Sequence, residues 1–266
     1  MNKIEVFKHY INMLVKNHIN CFLCYSKAGY GKTFTTINLL KEMNQEYVYV
    51  SGVTTPVELY KLFFDNNNKI IVLDDVETMF QDDKTIQILK SALWSVTNQR
   101  QVSYKTTSKT LVNYPDTFEF TGKIIILANE IKGKKDESFK ALISRCLKYK
   151  LTYTLQELKD LSINIIKEKK DLTIKQKQLI METINELTPE YDYNLRLMDR
   201  LITFAKYDEV NAKMLFYNSV SVDEDKKILL QILNNNKSVE EQAKEYMNLT
   251  GHSRMTFFRK KKKLKV

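Results

Sequence analysis

The chain is short of the residues that loosen or staple a fold. Six glycines and three prolines in 266 residues leave no stretch that reads as a flexible linker, so domain boundaries must come from hydrophobic pattern. The three cysteines, Cys21, Cys24 and Cys146, are too few and odd in number for a disulfide framework and point to a reducing compartment. Cys21 and Cys24 lie in the apolar run CFLCY without a second pair, and in a strand their spacing sends the two thiols to opposite faces, which argues against a zinc site. No apolar run reaches the ~18 residues of a membrane span. The opening stretch MNKIEVFKHYINMLVKNHIN is broken by Lys, Glu, His and Asn, unlike a secretory signal. The expectation is a cytoplasmic protein with no membrane partner.

Acidic residues are missing where basic ones gather. No Asp or Glu follows Glu245, whereas seven Lys or Arg lie between Arg254 and Lys265, and the net charge is +10. A polyanion is the natural partner, and DNA is the favoured one.

What is present is a regular alternation. Five strand-like runs, NCFLCY (20–25), EYVYVSG (46–52), KIIVLDD (69–75), GKIIILANE (122–130) and LKYKLTY (147–153), are separated by helical patterns. One helix starts at Lys32 and one follows Pro56. A third spans 82–98, with Ile86, Leu89, Leu93 and Val96 at helical spacing, and a fourth spans 136–146 with Phe139, Leu142, Ile143 and Cys146. Near-continuous apolar strands alternating with helices predict an α/β domain over 1–153, a parallel five-stranded sheet flanked by helices. Residues 154–220 carry only helical patterns and predict an all-α domain. Residues 221–266 predict three short helices, with Ser238 and Glu241 as a capping box and Gly251 in the last turn, the pattern of a helix-turn-helix.

The stretch YSKAGYGKT (25–33) carries a phosphate-binding pattern, G-x-x-x-x-G-K-[ST], with Ser26 where the first glycine belongs. In such a loop the backbone N–H groups curl around phosphate, the lysine reaches the β/γ oxygens and the next hydroxyl binds Mg²⁺. A strand precedes it and a helix N-terminus follows, which also favours phosphate. Ser26, Lys27, Ala28, Gly29, Tyr30, Gly31, Lys32, Thr33 and Phe34 are therefore the candidate ATP-binding segment. KIIVLDD ends on two carboxylates. Asp74 is the candidate to hold Mg²⁺ with Thr33, partly through water, and Asp75 to polarise the attacking water. Asn129 follows another buried strand, and polar residues at carboxyl ends of such strands converge on a ligand crevice, so Asn129 is placed to orient water beside the γ-phosphate.

Over roughly residues 20–207 the chain resembles the AAA+ ATPases. YSKAGYGKT looks like Walker A, IIVLDD like Walker B, ANE like the sensor 1 strand end, ALISRCLKY like an arginine-finger region and YNLRLMDR like the sensor 2 helix of a lid. The resemblance implies that Arg145 reaches the γ-phosphate of a neighbouring subunit and Arg196 that of its own, with Arg200 one turn on as a rival. It also implies ATP and Mg²⁺ as cofactors and a homo-oligomeric ring or filament. On the 136–146 helix the apolar stripe turns inward and leaves Arg145 on the flank.

Two segments are candidates for DNA contact. RQVSYKT and TFEF can pair as a hairpin carrying Arg100, Tyr104, Lys105 and Lys109, a mixture of charge and aromatic ring used on single strands; it resembles hairpins of helicase-type relatives. TGHSRMTFFRKKKKLK resembles a recognition helix. Ser253 caps it, Arg254 and Thr256 face base edges, Arg259, Lys260, Lys261 and Lys262 grip phosphates, and Phe257 and Phe258 pack in part on the other helices. Together these features look like replication machinery of viruses or plasmids: an initiator, helicase loader or small helicase, working with a helicase or other replication protein and, if viral, in the host cytoplasm. An ATP-switched DNA-binding regulator and a transposition-type ATPase are the alternatives. A small-molecule P-loop kinase fits the arginines and the basic terminus poorly.

Overall fold

The five strand-like runs build one sheet. The computed structural model describes residues 2–264 other than 53, 96, 98, 106–110 and 132–136, so Val96 and Lys109 lie outside the described residues. Two compact units result, Met1–Thr152 and Tyr153–Val266. The strands of the first are β1 (Cys21–Tyr25), β2 (Tyr47–Ser51), β3 (Ile70–Asp74), β4 (Gln101–Ser103), β5 (Thr117–Glu119), β6 (Lys123–Ala128) and β7 (Leu147–Lys150). All but β4 and β5 form a parallel sheet in the order β2-β3-β6-β1-β7. Strand order reverses around β1, and on open α/β sheets ligands bind at the carboxyl ends of strands at such a point. The pair β4–β5 is antiparallel, as the hairpin reading expects.

The central strands β1, β3 and β6 are almost wholly apolar because both faces are covered, whereas the edge strands β2 and β7 expose alternate residues. All of β3 is buried. The helices of this unit are α1 (Lys3–Val15), α2 (Lys32–Glu42), α3 (Pro56–Asp65), α4 (Asp83–Leu93) and α5 (Glu137–Ser144). Cys21 and Leu23 of β1 share a core with Leu59, Phe63, Leu89 and Leu142, from α3, α4 and α5. Phe22 turns to the other face, where its ring lies 5.5 Å from Phe7 of α1. Each such fully buried side chain stabilises the fold by about 1.5–3 kcal/mol. Cys21 Sγ lies 3.3 Å from Cys146 Sγ, and burial pushes the Cys24 thiol up to about 12.

Two expectations are corrected here. The helix read over 82–98 ends at Leu93, and Trp94 is already extended (φ −153°, ψ 145°). The reason lies partly in Arg100, whose Nη1 donates to the Ala92 carbonyl at 2.9 Å, satisfying an end that would otherwise need water. Arg100 is only 7% exposed and is not available to DNA.

The second unit is helical: α6 (Leu155–Glu168), α7 (Ile174–Glu186), α8 (Leu195–Tyr207), α9 (Ala212–Ser219), α10 (Glu224–Leu233), α11 (Val239–Thr250) and α12 (Arg254–Leu264). Capping boxes Thr154/Glu157, Thr173/Gln176 and Ser238/Glu241 start α6, α7 and α11. Gly251, at φ 70°, ends α11. The last three helices close around Leu229, Ile232, Ala243, Tyr246 and Phe257. Among the described residues no helix is long and apolar enough to cross a membrane.

Candidate functional site

Register brings the motif ends together. Leu127 of β6 pairs with Cys24 of β1 on one side and with Asp74 of β3 on the other. The ladder runs one step further, with Ser26 N–H donating to Ala128 O (3.2 Å) and Asp75 N–H to Leu127 O (3.1 Å). Ser26, Asp74, Asp75 and Asn129 thus emerge side by side at one edge of the sheet.

The loop between β1 and α2 turns at Gly29 (φ 76°) and Gly31 (φ 82°), left-handed positions where any other residue would be strained. Ser26 is not among the positive-φ positions, so a glycine there is not required by the backbone. Its hydroxyl has a use instead. Lys32 is 6% exposed, and its Nζ donates to Ser26 O (3.1 Å), Ser26 Oγ (3.0 Å), Lys27 O (3.4 Å) and Asn129 Oδ1 (3.3 Å). Ser26→Gly removes one of these acceptors and is expected to change ATP affinity by less than about tenfold, or about 1.4 kcal/mol. Calorimetric titration with ATP and Mg²⁺ checks this, and a larger gain would mark the native loop as impaired.

Beyond the lysine, Thr33 Oγ1 donates to Asp74 Oδ2 at 2.6 Å, and the Tyr49 hydroxyl donates to the same oxygen at 2.9 Å. A hydroxyl and a carboxylate so close are hard oxygen donors that fit Mg²⁺. Asn129 Nδ2 donates to Asp75 Oδ1 at 2.9 Å, so the amide of Asn129 ties Lys32 to Asp75. Asp75 itself is exposed and left-handed at φ 53°, which Asp tolerates better than most residues. Tyr30 is buried at 8% exposure, while Lys27, Ala28 and Phe34 face water.

Tyr49 is absent from the sequence reading. The run YVYVS marks a strand, but only the pairing of β2 with β3, Tyr49 opposite Val72 and Ser51 opposite Asp74, carries this hydroxyl to the carboxylate. Partial burial and the hydrogen bond to Asp74 push the phenol above its ordinary range, so it stays a proton donor.

The arginines are placed differently from one another. Arg145 follows α5, and its guanidinium lies over the Trp94 ring at 5.5 Å. Its Nη1 is buried and finds no hydrogen-bond partner among the described residues. In the second unit Arg196 is exposed in the first turn of α8, whereas Arg200 donates to Ser219 O at the end of α9 (2.8 Å).

On the hairpin Lys105 is exposed, and Tyr104 is half-buried with its ring 5.8 Å from that of Tyr60. In α12, Ser253 caps the helix, its Oγ accepting from Thr256 N–H at 3.3 Å. Arg254 pairs with Glu240 and lies over the Phe258 ring. Lys260 donates to Asp225 (2.5 Å), which also binds His252 (2.7 Å), and Lys261 donates to Gln242 (3.1 Å). Lys260 and Lys261 therefore face the helices beneath, correcting the expectation that both are free for phosphates. Thr256 is half-buried, and Arg259 and Lys262 are exposed.

No protein-family model matches the sequence, and no curated protein matches it. Among solved structures, a point mutant of RuvB from Thermotoga maritima is similar, at TM-score 0.55 and 13% identity, over 97% of this chain and 86% of that one. AMPPCP-bound DnaA from Aquifex aeolicus is similar at TM-score 0.51 and 14% identity, over 90% and 74%. The RuvB Holliday junction branch migration motor of Thermotoga maritima is similar at TM-score 0.50 and 11% identity, over 96% and 87%. At such identities the likeness is one of fold: the parallel five-stranded sheet flanked by helices matches a P-loop AAA+ fold.

Proposed function

We propose that this chain is an ATP-hydrolysing AAA+ protein that assembles on DNA and acts in replication as an initiator, helicase loader or small helicase. The observation that carries the reading is the convergence of Lys32, Thr33, Asp74, Asp75 and Asn129 at one sheet edge beside a left-handed glycine loop. Support for nucleotide also comes from the AMPPCP named in one structural neighbour, and for DNA from the branch migration named in another.

In this reading residues 1–153 bind nucleotide, 154–220 form the lid and 221–266 bind DNA. The loop amides and the α2 N-terminus receive the phosphates, and Lys32 exchanges its carbonyl and amide acceptors for β/γ oxygens. Thr33 and Asp74 would hold Mg²⁺, which supplies positive charge to the phosphate oxygens. Tyr49 keeps the Asp74 carboxylate oriented, the part played by groups behind a metal ligand. Asp75, aimed by Asn129, draws the proton of the attacking water as the Pβ–O–Pγ link breaks to give ADP and phosphate. Arg145 of one subunit serves the nucleotide of its neighbour, which requires its guanidinium to leave the Trp94 ring over which it now lies. Arg196 serves the nucleotide of its own chain.

ATP turnover measured with and without duplex DNA tests the reading. Turnover that rises on DNA is expected, and a strand-separation assay then sorts helicase from loader. ATP binding with no turnover in either condition would overturn the motor and leave a nucleotide-switched regulator.

A further inference from the structure

We infer that the outward face of α12 reads thymine 5-methyl groups in the major groove of a DNA duplex, with Met255 and Phe258 as the reading side chains. The inference rests on the DNA-binding role proposed above and specifies its substrate.

At ~100° per residue, α12 presents two opposite faces. Phe257 is buried and Lys260, Lys261 and Leu264 are half-buried, which defines the inward side. Met255, Phe258, Arg259 and Lys262 follow i, i+3, i+4, i+7 and lie together on the outward side. Met255 is 81% exposed and Phe258 39%. Two large apolar groups on the most basic segment of the chain are out of place on a surface that only gathers phosphates. Arg259 and Lys262 follow them on the same stripe toward the end of the helix, and the neighbouring carboxylates Asp225 and Glu240 are already occupied by Lys260, His252 and Arg254. The outward face therefore carries an apolar pair in its first half and two cations in its second.

A major groove about 12 Å wide admits a helix. Lysine and arginine on the second half of the stripe meet phosphate. A thioether and a phenyl ring offer base edges no strong hydrogen bond, and the apolar feature those edges present is the thymine methyl. Phe258 is held for the task, since Arg254 lies 5.2 Å over its ring and is itself fixed by Glu240. Met255 is unbranched and adapts its shape.

Binding of the full chain to a set of duplexes tests this by fluorescence anisotropy: alternating A·T, the same duplex with deoxyuridine for thymidine, and alternating G·C with or without 5-methylcytosine. Loss of the methyl is expected to weaken binding roughly fourfold for each thymine contacted, and 5-methylcytosine should recover part of the loss on G·C. M255A and F258A should bind thymine and uracil duplexes alike while keeping a steep salt dependence. R259Q and K262Q should weaken all duplexes together and keep the preference. Equal affinity of the native chain for thymine and uracil duplexes would overturn the inference while leaving DNA binding intact, and would favour a wedge between minor-groove steps. Failure to bind any duplex would instead remove the DNA-binding reading on which it rests.

Discussion

Replacing Lys32 by alanine is expected to remove nucleotide binding at ordinary concentrations. The ammonium is buried and held by Ser26 O, Ser26 Oγ, Lys27 O and Asn129 Oδ1, a preorganised position at the mouth of the loop. Truncating one partner of a buried, hydrogen-bonded charge pair costs about 2–5 kcal/mol, which is about 30- to 4,000-fold in Kd. Titration with a fluorescent ATP analogue measures it, with circular dichroism to establish that the variant folds. Unchanged affinity in a folded Lys32→Ala protein would place the nucleotide elsewhere. The Ser26 substitution should be mild by comparison, because it withdraws one acceptor and leaves the charge.

Changing Asp75 to asparagine is expected to separate binding from chemistry. The carboxylate accepts from Asn129, and an amide oxygen in its place still can, so the geometry should survive while the base does not. Loss of a positioned base costs about 10²–10⁴ in rate. Single-turnover hydrolysis should fall by that factor, while the Kd for ATP moves by less than about tenfold. Full turnover in Asp75→Asn would take the water-activating role away from this residue. Parallel loss of binding and rate would recast Asp75 as part of the nucleotide cradle.

Much of the candidate nucleotide-binding edge could be read without a structure because its parts are local. An apolar run that ends in two aspartates, or a glycine pair before Lys-Thr, declares itself within ten residues or so, since strand burial and left-handed turns act on near neighbours. Helix α1 lies outside the sequence expectations, although Phe7, Ile11 and Leu14 form its buried stripe at helical spacing. The long helix expected over 82–98 ends early. Its periodicity does continue to Val96, but Trp94 is already extended and Arg100 binds the Ala92 carbonyl, a contact that hydrophobic spacing does not show.

By itself the sequence determined the alternation of strands and helices, the loop that turns at Gly29 and Gly31, the carboxylates at the end of β3 and the basic character of the last helix. Tertiary structure alone decided which of these groups meet. Tyr49 reaches Asp74 only because β2 pairs with β3 in one register, and Asn129 spans Lys32 and Asp75 only because β6 lies between β1 and β3. Along the chain Arg259, Lys260, Lys261 and Lys262 are equivalent cations. Helical rotation turns Lys260 and Lys261 onto Asp225 and Gln242 and leaves Arg259 and Lys262 outward. Composition sets how much charge a segment carries, whereas packing of one helix face on its neighbours sets which charges remain for a partner.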